Sequence, residues 1–253
     1  MEGLSGISLY AAGIIASDES KKVIKVVLID IDNTLLSFTG YVKEAMRKGF
    51  SFFGLKPYTE AMFPVFEKIN GSLWRQIEQG TLTFEELEKC RWDLIFKELE
   101  IDFDGMTFEE YFRKKLYYSA VPEDGAEDLL KYLSRKYTLC AASNGPYEQQ
   151  INRLKIGKMD EYFTYCFISS RIGAQKPSRQ FFDYCFSVLK EIEYPDLEPE
   201  EVIIIGDSVS SDISGGREYG MHTCLYQKSE TLEKGDHVAE HVVRNLAEIK
   251  NIL

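Results

Sequence analysis

Asp30 and Asp32 stand two residues apart where a strongly apolar run, residues 23–29, comes to an end. Within that run Val23, Ile24, Val26, Val27, Leu28 and Ile29 predict a strand buried on both faces, as in a parallel sheet. Carboxylates are expensive to desolvate there, and the carboxyl ends of central strands are where open α/β sheets bind ligands. Taken alone, Asp30-Ile31-Asp32-Asn33-Thr34 is equally readable as a solvated acidic turn. Other strand ends carry polar clusters too: Ser143-Asn144 after the run 138–142, Lys176 after 163–169, and Asp207 with Asp212 after 202–205. Parallel strands bring such ends to one edge of a sheet. Three or four acids beside one lysine suit a hard divalent cation held through oxygen, and Mg²⁺ is the usual choice.

The elements that must position these residues follow from patterning. Buried-type strands alternate with helices, which implies a parallel sheet with right-handed crossovers. Between about residues 41 and 118 the signals are helical. Thr83-Phe84-Glu85-Glu86 is a capping box, Thr107-Phe108-Glu109-Glu110 repeats the same start signal, and Gly54, Pro57, Gly71, Gly80 and Gly105 divide the segment into about four helices. Further on, 126–133 reads as an amphipathic helix, Ile151 and Leu154 mark another, and Pro177-Ser178 suits the first turn of an apolar helix over 181–189. A helix starting near Asp212, a strand over 222–226, and Asn245 capping a terminal helix complete the pattern. The fold expected is an α/β, Rossmann-like parallel sheet flanked by helices, with an inserted all-helical cap. Its parts are an N-terminal arm (1–22), a core (23–38 and 119–253) and the cap (39–118).

Composition narrows the function classes. The 44% hydrophobic and 28% charged content of the 253 residues belongs to an ordinary globular protein. A formal charge of −11 argues against a nucleic-acid surface but leaves room for a small anionic substrate in a locally positive pocket. Cys90, Cys140, Cys166, Cys185 and Cys224 show no paired metal-ligand spacing and read as small buried residues in a reducing compartment, so a cytoplasmic location is expected. The weakly apolar patch 7–16 has no preceding basic residue and is too short to span a bilayer. His222, His237 and His241 sit in no motif, which leaves a Ser-His-Asp hydrolase without support.

Together and in order, Asp30-Ile31-Asp32-Asn33-Thr34-Leu35, Ser143-Asn144-Gly145, Lys176-Pro177, and Gly206-Asp207 with Asp212 five residues on make the sequence resemble the haloacid dehalogenase superfamily of phosphohydrolases. A helical insertion after the first motif resembles the phosphoglycolate-phosphatase-like branch. Leu73-Trp74 with Glu78-Gln79-Gly80 and Thr83, Gln149 and Arg153-Leu154 behind Ser143, and Ile168-Ser169-Ser170 leading through Gly173 to Gln175-Lys176-Pro177 look like bacterial pyrimidine nucleotidases. Asn33 stands where many relatives have Asp or Glu.

The resemblance implies that Asp30 is a nucleophile forming an aspartyl-phosphate, and that Asp32 protonates the leaving alcohol and then takes a proton from water. It implies that Ser143 and the Asn144 N–H bind phosphoryl oxygens and that Lys176 neutralises charge on the nucleophile and phosphoryl group. Asp30, Asp207 and the Asp32 carbonyl become metal ligands, supported by Asp212. Plainer readings stand beside these. Thr34 caps its turn, Ser143-Asn144 is an ordinary turn or a helix start, Asp212 is an N-cap, Lys176 is solvated, and Trp74 is core.

Three functions remain. The first is a Mg²⁺-dependent nucleotidase for nucleoside 5′-monophosphates. The second is the same chemistry on phosphoglycolate or a sugar phosphate, or a phosphomutase. The third is an inactive sensor of phosphorylated ligands. The partner expected is a small phosphorylated metabolite, with no nucleic-acid polymer and no membrane.

Overall fold

The computed structural model describes residues 23–228 and 239–253; the expected arm, 1–22, lies outside the described residues. Six strands form one sheet in the order β3-β2-β1-β4-β5-β6: β1 (Val26–Ile29), β2 (Thr138–Ser143), β3 (Tyr165–Ile168), β4 (Val202–Gly206), β5 (His222–Tyr226) and β6 (His241–Val243). Every neighbouring pair is parallel, with Ile29 level with Ala141 on one side and with Ile205 on the other. The chain runs outward from β1 through β2 to β3, then returns to place β4 on the opposite side of β1. That reversal opens a crevice at the carboxyl ends of β1 and β4, where ligands bind in sheets of this kind.

Alternation along β1 feeds two cores. Val27 and Ile29 pack with Leu129, Leu130, Leu246 and Ile249, while Val26 and Leu28 pack with Phe181, Phe182 and Cys185. The strand is shorter than the apolar run. Val23 is 77% exposed, and the strand begins at Val26, the backbone of Lys25 just before it already bonding Glu201 O and Thr138 N.

Between β1 and β2 lie four helices, α1 (Phe38–Phe52), α2 (Phe63–Glu78), α3 (Phe84–Glu98) and α4 (Gly105–Tyr117), followed by α5 (Ala126–Leu133). The first four have a core of their own, built on Phe50, Phe66, Trp92, Phe96, Phe108 and Phe112. The Thr83–Glu86 capping box forms at the start of α3. The second start signal is misplaced. Asp104, not Thr107, caps α4, its carboxylate accepting from Thr107 N at 2.7 Å, so Thr107 lies inside the first turn. Gly105 allows α4 to press on α3, because a Cβ there would sit 2.4 Å from Asp93 N. Gly71 is no boundary; it lies within α2.

After β2 come α6 (Tyr147–Ile156), α7 (Ser169–Ile172), α8 (Arg179–Ile192) and α9 (Gly215–Tyr219). Ser178 is the N-cap of α8. The helix expected near Asp212 begins as a π-helical turn, Val209–Ser214, whose cap is Ser208, so the N-cap reading of Asp212 fails. Asn245 does cap the last element, but that element is a 3₁₀ helix, Leu246–Asn251. No helix among the described residues is long and apolar enough to cross a membrane.

Candidate active site

Asp30 follows β1 directly, and its amide donates to Ile205 O at 2.8 Å, holding it against β4. Lys176, only 1% exposed, reaches into the same crevice. Its ammonium donates to Asp30 Oδ1 (2.8 Å), Asp212 Oδ1 (2.6 Å) and Ala142 O (2.5 Å), which engages all three of its protons. Burial opposes that charge, but Asp212 and Asp30 outweigh it and hold the ammonium above the usual lysine range. The solvated reading of Lys176 is thereby set aside.

Asp212 is fully buried and accepts from Ser208 N through its other oxygen at 3.1 Å. Gly206 makes room for it, since a Cβ at that position would lie 2.1 Å from Asp212 Oδ2. Asp207 completes the group: carboxylate oxygens of Asp30, Asp207 and Asp212 all lie within 4.8 Å of one another. Burial pushes the Asp30 carboxyl up to about 7, with Lys176 opposing and Asp212 adding to the rise, and burial together with Asp30 pushes Asp207 well above the carboxylate range. Three crowded carboxylates against one ammonium leave negative charge that a divalent cation would balance. The donors are hard oxygens, as Mg²⁺ requires, so this set fits the ion.

Ser143 ends β2, and Asn144 next to it forms a two-way clamp on the Lys176 backbone, donating to its O at 2.8 Å and accepting from its N at 2.9 Å. This clamp fixes where the lysine enters. Thr34, fully buried, points its hydroxyl at Asp30 Oδ2 at 3.4 Å. The turn between them needs a left-handed residue, and Asn33 (φ 57°) supplies it while its Oδ1 accepts from Thr39 N at the start of α1.

Asp32 is held differently. Its Oδ1 accepts from Arg153 Nη1 at 2.6 Å and its Oδ2 from Gln150 Nε2 at 2.7 Å. Gln150 also donates to Ser143 Oγ at 2.8 Å, so one amide orients both groups. Gln150 was missed in the sequence, which pointed to its neighbour Gln149. The legible signal was spacing: Gln150 and Arg153 are three apart, on the face of α6 that carries the buried Leu154.

Asp30, Asp32, Ser143, Asn144, Lys176, Asp207 and Asp212 all line one cavity of about 260 Å³. Its far wall comes from the inserted helices: Phe38, Asn70, Trp74, Glu78, Phe84, Arg91 and Arg113. Trp74 is therefore not pure core; it packs on Phe84 at 5.7 Å and faces the cavity. Arg91 is fixed by Glu109 and by Asn70 Oδ1 at 3.1 Å, and Arg113 by Glu88 at 2.9 Å.

Residues 24–220 match the model of the haloacid dehalogenase-like hydrolases. The chain belongs to that family. Among relatives of this hydrolase, the HAD-hydrolase YfnB of Bacillus subtilis is 31% identical, over 90% of this chain and 95% of its own. Its solved structure, a magnesium-bound crystal form, superposes with a TM-score of 0.82, covering 92% of this chain and 99% of that one. The pyrimidine 5′-nucleotidase PynA of Streptococcus pneumoniae is 30% identical (80% of this chain, 83% of its own), and YjjG of Escherichia coli, also a pyrimidine 5′-nucleotidase, is 25% identical (90% and 96%).

The cysteines play no part in the site. All five are free, and burial raises the thiols of Cys140, Cys166 and Cys224, the last to about 12.

Proposed function

We propose that this hydrolase is a Mg²⁺-dependent phosphomonoesterase that works through an aspartyl-phosphate on Asp30, with nucleoside 5′-monophosphates as its substrates. The observation that carries the reading is the division between the two acids. Asp30 faces Lys176 and the carboxylate cluster, whereas Asp32 is turned to Gln150 and Arg153. A dehalogenase has no need of the second acid, and an idle sensor has no need of either.

Asp30, Asp207 and the Asp32 carbonyl would hold Mg²⁺, with Asp212 in support, and the ion would supply charge to offset the phosphoryl oxygens. In the first step a bond forms from the Asp30 carboxylate to phosphorus. The bond from phosphorus to the ester oxygen breaks, its electrons stay on that oxygen, and Asp32 gives it a proton. In the second step water attacks phosphorus, Asp32 takes its proton, and Asp30 leaves as carboxylate. Lys176 holds the Asp30 carboxylate in place throughout, and Ser143 and Asn144 receive the phosphoryl oxygens.

Helices α1–α4 act as a cap that closes over the leaving group and excludes water. The partly exposed aromatic groups that line the cavity, Trp74, Phe84 and Phe38, suit a planar base, and Arg113 and Asn70 offer it hydrogen bonds. A short acid such as phosphoglycolate has no apolar body to cover that wall. The nucleotidase names of PynA and YjjG support the same choice. The free thiols accord with a cytoplasmic location.

The test is a panel of nucleotide, sugar and short-acid phosphates ranked by kcat/KM, with and without EDTA. Uridine and thymidine monophosphates are expected to lead and EDTA to stop turnover. A middling rank for both nucleotides removes the substrate assignment.

A further inference from the structure

We propose that Arg153 is a positioning residue that ties the Asp32 carboxylate to the chain segment returning from the four helices to the sheet, so that the proton donor is in place only when that segment is seated. This rests on the acid/base role of Asp32 proposed above.

Arg153 is 1% exposed, and its donors diverge. Nη1 bonds Asp32 Oδ1 at 2.6 Å and Gln150 Oε1 at 2.9 Å, while Nε bonds Ser119 O at 3.0 Å. Ser119 follows α4 at the start of the return segment. Two residues earlier, at the end of α4, Tyr117 O accepts from Asn152 Nδ2 at 2.7 Å. The same segment pairs with the outgoing one through Ser37 N to Val121 O at 2.8 Å, Glu123 N to Leu35 O at 2.8 Å, and the Leu36–Pro122 bridge.

A guanidinium is planar, so the direction of Nε fixes the direction of Nη1. Where the Ser119 carbonyl stands therefore sets where Asp32 meets its partner. If residues 117–119 shift, Nε loses its acceptor, the plane rotates, and the Asp32 carboxylate turns with it. Gln150 passes the same constraint to Ser143, because its Nε2 serves both Asp32 and Ser143. A guanidinium buried simply to join α6 to the linker would not also need to bond Asp32, whose side chain stays 29% exposed to the cavity.

A general acid is needed in proportion to the basicity of the leaving group, so the two roles separate kinetically. The experiment compares phenyl phosphate, a poor leaving group, with 2,4-dinitrophenyl phosphate, a good one, in the full chain with Mg²⁺. The quantity is kcat/KM, which reports steps through departure of the phenol. Arg153→Met is expected to lower kcat/KM for phenyl phosphate by about 10–100-fold and to leave the dinitrophenyl ester within about 3-fold. Arg153→Lys, which keeps a charge but not the fork, is expected to fall between parent and Arg153→Met on phenyl phosphate.

Asn152→Ala releases the Tyr117 carbonyl without touching Asp32 or the cavity. It is expected to show the same split at about 3–10-fold, the mark of the linker acting through Arg153. Equal losses on both esters, or none, in Arg153→Met and Arg153→Lys overturn the positioning role. A split in Arg153→Met with parent behaviour in Asn152→Ala overturns the coupling to the return segment. A parent inactive on both esters instead removes the phosphatase reading itself.

Discussion

The Lys176 ammonium stands 2.8 Å from Asp30 Oδ1, although 146 residues separate the two along the chain. Parallel strands make this meeting possible, and the Asn144 clamp on the Lys176 backbone aims the side chain. The lysine also holds Asp212, so it is the counter-charge shared by two buried acids.

Removing it leaves Asp30 and Asp212 facing each other without a cation. Breaking one member of a buried charged set costs about 3–5 kcal/mol. Lys176→Met is therefore expected to melt well below the parent in EDTA and to regain more stability than the parent does on adding Mg²⁺. Differential scanning calorimetry with and without the ion measures both shifts.

The raised carboxyl of Asp30 gives a pH dependence with a definite sign. Below its ordinary value of 3.8 the group is protonated folded and unfolded alike, and it contributes nothing. Between 3.8 and about 7 the folded chain keeps a proton that the unfolded chain releases, so stability falls as pH rises; above about 7 the full penalty of a buried carboxylate remains. Asn cannot ionise. In EDTA, Asp30→Asn is expected to be more stable than the parent by a margin that is largest near pH 8 and shrinks toward pH 4. A margin that grows as pH falls contradicts this account.

In the helical insertion, Arg91 and Glu109 form an ion pair at 4% and 1% side-chain exposure. Arg91→Met alone is expected to cost about 3–5 kcal/mol in urea denaturation, whereas Arg91→Met with Glu109→Leu recovers most of the loss, because no charge is then left buried alone.

Trp74 stacking on a base makes a different forecast. Trp74→Ala is expected to lower kcat/KM for uridine monophosphate about 5–100-fold, the range of a lost base-aromatic stack, and to spare acetyl phosphate, which has no base. Equal losses on both would return Trp74 to a packing role.

Much of this was legible because the site's parts are short, local and strand-bound. The apolar runs before Asp30, Ser143 and Asp207 announce buried strands, and a strand's end fixes its last side chain in space. The Thr83–Glu86 box is equally local and was found where it forms. What stayed hidden depends on contacts between distant segments. Thr107 carries a start signal as good as Thr83, but Asp104 wins the cap, with Gly105 allowing α4 to sit against Asp93. Gln150 looks like any polar residue on a helix, and Arg153, which the resemblance did single out, has no visible partner until α6 meets Asp32 and Ser119. Arg91 and Arg113 reach the cavity only through the packing of α3 and α4.

The central claim is that Asp30 is the nucleophile, and turnover by Asp30→Asn under saturating Mg²⁺ tests it most directly. The side chain keeps its shape and its acceptor oxygen for Lys176, so the fold is expected to survive, as circular dichroism would record. The account predicts a loss of phosphatase activity of more than about 10³-fold, since an amide cannot form the acyl-phosphate. A folded Asp30→Asn protein that retained a substantial share of the parent's turnover would contradict it.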